Sequence, residues 1–140
     1  MDISEKEKQE IEEYISKHPA VWNCFKRKRP LEPSIQLEYV RDIDWLYKLA
    51  GLKSPEELAN FPDIVEVRTR ITLRLDEIRE ARNWKDAWIK NRIGRVNQLW
   101  RYNGRKIEKR TEYLIYQRDP RARAIGERIM RQKRWNLGEA

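Results

Sequence analysis

IVEVRTRITLRLDEIREAR, residues 64–82, is the stretch on which the fold class turns. Val65, Val67, Thr69, Ile71, Leu73 and Leu75 alternate with polar residues, as a half-buried strand requires. Ile64, Val67, Ile71, Leu75 and Ile78 also fall on one face of a helix, and LDEIREAR continues that helix without a break. A strand here has no obvious partner elsewhere in the chain, so the segment is read as helix. With that choice the whole chain reads as all-α, a compact bundle of six or seven helices.

Local signals upstream mark the other helices. Ser4 with Glu7 forms a capping-box pattern, with Ile11, Tyr14 and Ile15 inward and His18-Pro19 closing the helix. His18, the only histidine, is read as a helix cap. AVWNCFKRKRPLEP, residues 20–33, reads as a connector because of Pro30 and Pro33, and carries the basic run Lys26, Arg27, Lys28 and Arg29. Ser34 is expected to cap the next helix, which ends at Gly51 in a left-handed position. Ser54-Pro55-Glu56-Glu57 is a strong start for a short helix, with an N-cap, proline at the first position and acids in the first turn. Phe61-Pro62-Asp63 then opens the helix of residues 64–82. Downstream, helices are expected from about Trp84 to Tyr102, over RKIEKRTEYLIYQR to Asp119-Pro120, and over residues 121–135 with Ala122, Ile125 and Ile129 inward.

The 140 residues fit one folding unit, read as an N-terminal helix and basic connector (1–33), a helical core (34–107) and basic C-terminal helices packing on it (108–140). Charge is unevenly placed. Residues 1–63 carry a net charge of −3 and residues 64–140 a net charge of +11. A basic half of that size is the electrostatic footprint of a polyanion partner. The Lys/Glu/Arg-rich balance is also the one thermophilic proteins favour. Cys24 is the only cysteine, expected as a small buried hydrophobe, so no intrachain disulfide forms. One cysteine and one histidine give no zinc-site spacing, and no metal or cofactor is expected. The opening MDISEKEKQE lacks an apolar run, and no segment approaches 18 apolar residues, so neither a secretory signal nor a membrane span is expected.

NWKDAWIKNRIGRVNQLWRYNGRKI, residues 83–107, puts three tryptophans, seven basic residues and four asparagines into 25 positions. On a helix, Trp88, Ile89, Val96, Leu99 and Trp100 share one stripe, with Trp84 and Ile93 at its borders. The opposite face carries Lys90, Asn91, Gly94, Asn97, Gln98 and Arg101. Asn and Gln hydrogen-bond adenine edges, and Arg and Lys pair with guanine. Gly94 lies mid-face, where a missing side chain admits a partner's backbone, at a helix cost of about 1 kcal/mol relative to alanine. The same pattern also suits an ordinary solvated helix. Tryptophans on the apolar stripe belong to the core rather than to base stacking; Trp135, near the charged end, is the exception.

Two segments resemble the core-binding domain of tyrosine recombinases (phage-type integrases). IQLEYVRDIDWLYKLAGLKSPEEL is similar to that domain's first long helix, glycine turn and short helix, through Tyr39, Trp45, Leu46 and Gly51. WIKNRIGRVNQLWRYNG is similar to its later helix, through Ile89, Ile93, Val96, Trp100 and Tyr102-Asn103-Gly104. The resemblance covers residues 34–107 and implies a helical bundle lying across the DNA major groove. The family's catalytic arginine, His-x-x-Arg pair and nucleophilic tyrosine are not matched: His18 is followed by Pro19, Ala20 and Val21, and Tyr113 and Tyr116 fit only as core or surface tyrosines. No phosphate-cradling glycine loop or nucleophile elbow is present. Glu66-Val67-Arg68 and Glu77-Ile78-Arg79 read as salt-bridge partners rather than nuclease carboxylates.

The leading expectation is a non-enzymatic double-stranded-DNA-binding protein. Lys90, Asn91, Asn97, Gln98 and Arg101 would face the groove, with phosphates held by Arg105, Lys106, Lys109, Arg110, Arg123, Arg131, Arg134 and the run Lys26, Arg27, Lys28 and Arg29. The alternatives are a DNA-coating protein of a virion or chromatin, by composition like small basic coat proteins of filamentous archaeal viruses, and a protein-interaction adaptor. A homo-oligomer fits the coat reading; the expected location is the cytoplasm, or the virion for a coat protein.

Overall fold

The structure, a computed structural model, describes residues 2–107 and 120–136, Asp86 and the last four by their backbone alone. Among them it contains seven helices and no strand: α1 (Glu5–Lys17), α2 (Pro19–Phe25), α3 (Pro33–Leu49), α4 (Pro55–Ala59), α5 (Ile64–Arg82), α6 (Asp86–Tyr102) and α7 (Pro120–Asn136). The chain is all-α.

Helix ends follow local chemistry. The Ser4 hydroxyl accepts from the Glu7 N–H at 3.1 Å while the Glu7 carboxylate accepts from the Ser4 N–H at 3.0 Å, closing the capping box of α1. Those backbone and side-chain bonds hold the Glu7 carboxyl below its ordinary pKa. Ser54 and Asp63 cap α4 and α5 by accepting from Glu57 and Glu66 N–H groups. Gly51 and Gly104, after α3 and α6, take φ of +77° and +83°, the left-handed conformation glycine adopts without strain.

Two expectations about the N-terminal region need correction. Residues 20–33 are not all connector, because α2 forms there. Pro19 supplies its first position, and Ala20, Val21, Cys24 and Phe25 bury one helical face. His18 serves both neighbours, as C-cap of α1 and N-cap residue of α2, with Nδ1 2.9 Å from Glu56 Oε1. Nor does Ser34 cap α3: Pro33, with its preset φ, occupies the first position and Glu32 becomes the N-cap residue, without a side-chain cap bond. Downstream, Arg105–Ile107 is not helical, and the rest of the helix expected over RKIEKRTEYLIYQR lies outside the described residues.

One apolar cluster runs through the bundle from Ile11 on α1 to Trp100 on α6. α1 packs on α3, α2 lies against α4 and α6, and α5 contacts α3, α6 and α7. That crowding explains the ambiguous pattern of residues 64–82. Val67, Ile71 and Leu75 form the expected face, but Arg68, Thr69, Thr72 and Leu73 are buried as well. The threonine hydroxyls donate back to Val65 O at 2.6 Å and Arg68 O at 2.8 Å, so two polar side chains are satisfied within α5 itself. At the centre, Trp100 is wholly buried and its Nε1–H donates to Leu58 O at 2.9 Å, tying α6 to α4.

Candidate nucleic-acid interface

α6 is packed on by α2, α3 and α5, so its buried arc is broad: Ile89, Ile93, Val96, Asn97, Leu99 and Trp100 are all buried. What remains outside is Lys90 and Asn91, both exposed, together with the partly exposed Gly94, Arg95, Gln98 and Arg101. Asn97 is therefore not a groove-reading residue. It lies at the edge of the outward face on a helical projection, and the bundle closes over that edge. Ile93 moves the opposite way, from the border of the apolar stripe to its middle.

The outward side of α6 meets α3 in an open groove of about 680 Å³, lined by Glu38, Tyr39, Lys90, Asn91, Arg92, Gly94, Arg95 and Gln98. Three sequence candidates, Lys90, Asn91 and Gln98, thus share one concave surface, with Gly94 leaving room among them. Sequence reasoning missed Glu38, Tyr39, Arg92 and Arg95. For the three charged residues the signal was a like-sign pair on each helix, Glu38 and Asp42 four residues apart on α3 and Arg92 and Arg95 three apart on α6, which calls for an opposite-sign partner on another element. Tyr39 carried no such signal. Arg92 Nη1 pairs with Asp42 Oδ2 at 2.9 Å. Arg95 lies 3.4 Å from both Glu38 Oε2 and Asp42 Oδ2. Burial raises the pKa of Asp42 despite the opposing pull of the two arginines.

Tyr39 links this groove to the basic run. Its buried ring lies under the Arg95 guanidinium at 4.3 Å and within 5.8 Å of the Arg27 guanidinium. Arg27 also sits over the Tyr102 ring at 4.3 Å, and its Nε–H donates to Cys24 O at 2.6 Å. The loop after α2 is thereby anchored beside the groove, with Lys26, Lys28 and Arg29 exposed. Arg27 itself corrects the reading of a four-residue phosphate clamp. Its guanidinium stacks on aromatic rings and holds the loop in place.

The other candidates divide. Arg105 is a staple, its two terminal nitrogens donating to Ala59 O at 3.1 Å and Pro62 O at 3.3 Å. Lys106 is exposed just beyond it. Arg123 and Arg131 are exposed on α7, which packs against α5 and is pinned there by Arg121–Asp63 and Arg128–Glu66 pairs. Glu66 pairs with Arg70 as well, as its salt-bridge reading expected. Lys109 and Arg110 lie outside the described residues, as do the side chains of Arg134 and Trp135. Tyr39 connects the groove with the loop after α2, while the arginines of α7 lie on a helix that packs against α5.

The tryptophans behave mainly as core. Trp88 is half-buried and packs against Trp84 at 4.2 Å and Trp45 at 5.8 Å, whereas Trp22 on α2 is exposed. Cys24 is buried, and desolvation pushes its thiol pKa up to about 12. Among the described residues no three His, Cys, Asp or Glu side chains cluster as metal ligands would. No described helix is long and apolar enough to cross a membrane. Comparison of the chain with protein-family models, curated proteins and solved structures yields no match.

Proposed function

We propose that this protein is a non-enzymatic binder of double-stranded DNA, using the α3–α6 groove and the adjoining loop as one composite surface. The observation that carries the reading is the position of Tyr39 between Arg27 and Arg95, which ties the loop bearing the exposed Lys26, Lys28 and Arg29 to the groove lined by Lys90, Asn91 and Gln98. The lysines and Arg29 supply phosphate contacts; Asn91 and Gln98 are the amides available to base edges, with Gly94 leaving space for approach. The net charge of +8 supports a polyanion partner. The resemblance of residues 34–107 to the core-binding domain of tyrosine recombinases belongs to this proposal, as a DNA-holding bundle without that family's cleavage chemistry.

Setting Arg27 and Arg105 aside as structural arginines lowers the expected number of phosphate contacts. About four to six contacts correspond to a loss of roughly 10²–10³ in affinity between about 50 and 200 mM salt. Fluorescence anisotropy of labelled duplex and single-stranded DNA, titrated with the full chain across that range, reads this directly. Duplex binding with that steepness, weakened by Lys28→Ala/Arg29→Ala/Lys90→Ala, is the expected result. No binding of either DNA form at low salt overturns the proposal and leaves an acidic protein partner as the reading to pursue.

A further inference from the structure

Resting on the DNA-binding reading above, we infer that Arg95 is a phosphate-contact residue which Glu38 occupies in the free protein and releases when the polyanion docks. Three features of the groove lead there. The Arg95 guanidinium lies over the Tyr39 ring, 4.3 Å away, a contact that remains when Glu38 leaves. A stacked guanidinium keeps its in-plane N–H donors directed outward, the geometry a phosphate needs. Both carboxylates that reach Arg95 do so at 3.4 Å, longer than the roughly 2.7–2.9 Å of a strong charge-assisted bond.

The neighbouring Arg92 differs. Its 2.9 Å bond to Asp42 joins two side chains that are mostly buried, and it ties α6 to α3. Glu38 is 58% exposed, against 16% for Asp42, so its carboxylate can leave for solvent even though Arg95 is as enclosed as Arg92, and a long, half-exposed ion pair is weak. Exchanging Glu38 for a phosphate therefore costs little, while Asp42 keeps its stronger partner. Glu38 acts as an internal competitor that lowers affinity for any polyanion poorly fitted to the groove.

The experiment is a double-mutant cycle on duplex DNA affinity, with the full chain carrying Glu38→Gln, Arg95→Gln or both, across about 50–200 mM salt. Glu38→Gln is expected to tighten binding about two- to fivefold, the range set by a surface ion pair, and to steepen the salt dependence by about one phosphate contact. Arg95→Gln is expected to weaken binding and abolish the gain from Glu38→Gln. A gain that persists in the Arg95→Gln background is a general charge effect and overturns the inference. No gain at all overturns it too, once circular dichroism shows both variants folded. If the unmodified chain binds no duplex, the DNA-binding reading itself has failed; if it binds and the cycle is additive, only the role of Glu38 and Arg95 has failed.

Discussion

Replacing Trp100 with phenylalanine isolates the contact that closes the centre of the bundle. The indole is fully buried, and its Nε1–H donates to Leu58 O at 2.9 Å. Leu58 is near the C-terminal end of α4, where carbonyls lack intrahelical partners. Phenylalanine removes the donor, but Leu58 O keeps a longer bond from the Phe61 N–H at 3.3 Å. The polar loss then falls in the lower part of the usual range, about 1–2 kcal/mol. Losing two ring carbons from a closed site adds about 1.6 kcal/mol at roughly 0.8 kcal/mol per buried carbon group. The expected total is about 3 kcal/mol. Urea unfolding followed by far-ultraviolet circular dichroism should show a midpoint lower by about 1.5 M for a slope near 2 kcal/mol/M, with the slope unchanged. Trp88→Phe is the control, because Trp88 is only half-buried. If Trp100→Phe costs no more than Trp88→Phe, the assignment of Trp100 as the central tie between α4 and α6 is refuted.

Three other outcomes check separate parts of the structure. Asn97→Ala should lower stability by about 1–3 kcal/mol, as loss of a buried polar side chain does, and leave the DNA affinity of the folded protein unchanged. Asn91→Ala should do the reverse, with urea melts and anisotropy separating the two. The Cys24 thiol, pushed up to about 12 by burial, should resist Ellman's reagent at pH 8 in the native state and react promptly in denaturant; fast native labelling would contradict its burial. Because the folded pKa of Glu7 lies below its unfolded value, the stability it adds is present above the ordinary carboxylate range and lost as pH falls through the folded value. Glu7→Gln should therefore flatten the acid limb of a stability–pH profile, and an unchanged limb would count against the capping box.

The helices were readable wherever their signals are local. Ser4 with Glu7, Ser54-Pro55 and Asp63 act within three or four residues of themselves, so their bonds form as the sequence implies. Gly51 and Gly104 carry their conformational freedom wherever they stand. The all-α class and the opposition of the α6 faces were legible for the same reason. Helix α2 was missed because Pro30 and Pro33 dominate its surroundings, and its seven residues show a buried face only once α4 and α6 cover it.

What tertiary structure decided was coverage. A helical projection gives the angle of Asn97 but not how far α2, α3 and α5 wrap around α6, and that width moved Asn97 from the groove to the core. Helix α5 lost its period because it is enclosed on several sides, so Thr69 and Thr72 had to be buried and satisfied within the helix. Arginines are undecidable alone: their long stems reach a carbonyl, a ring or solvent with equal ease. Only the packed fold sent Arg105 to Ala59 and Pro62, Arg27 to Tyr102, and Arg95 onto Tyr39. The sequence by itself determined the all-α class, the helices that carry their own start and stop signals, and where the positive charge accumulates, since these follow from neighbours along the chain. Which of those charges face outward together depended on contacts between residues far apart in sequence, and those exist only once the bundle has closed.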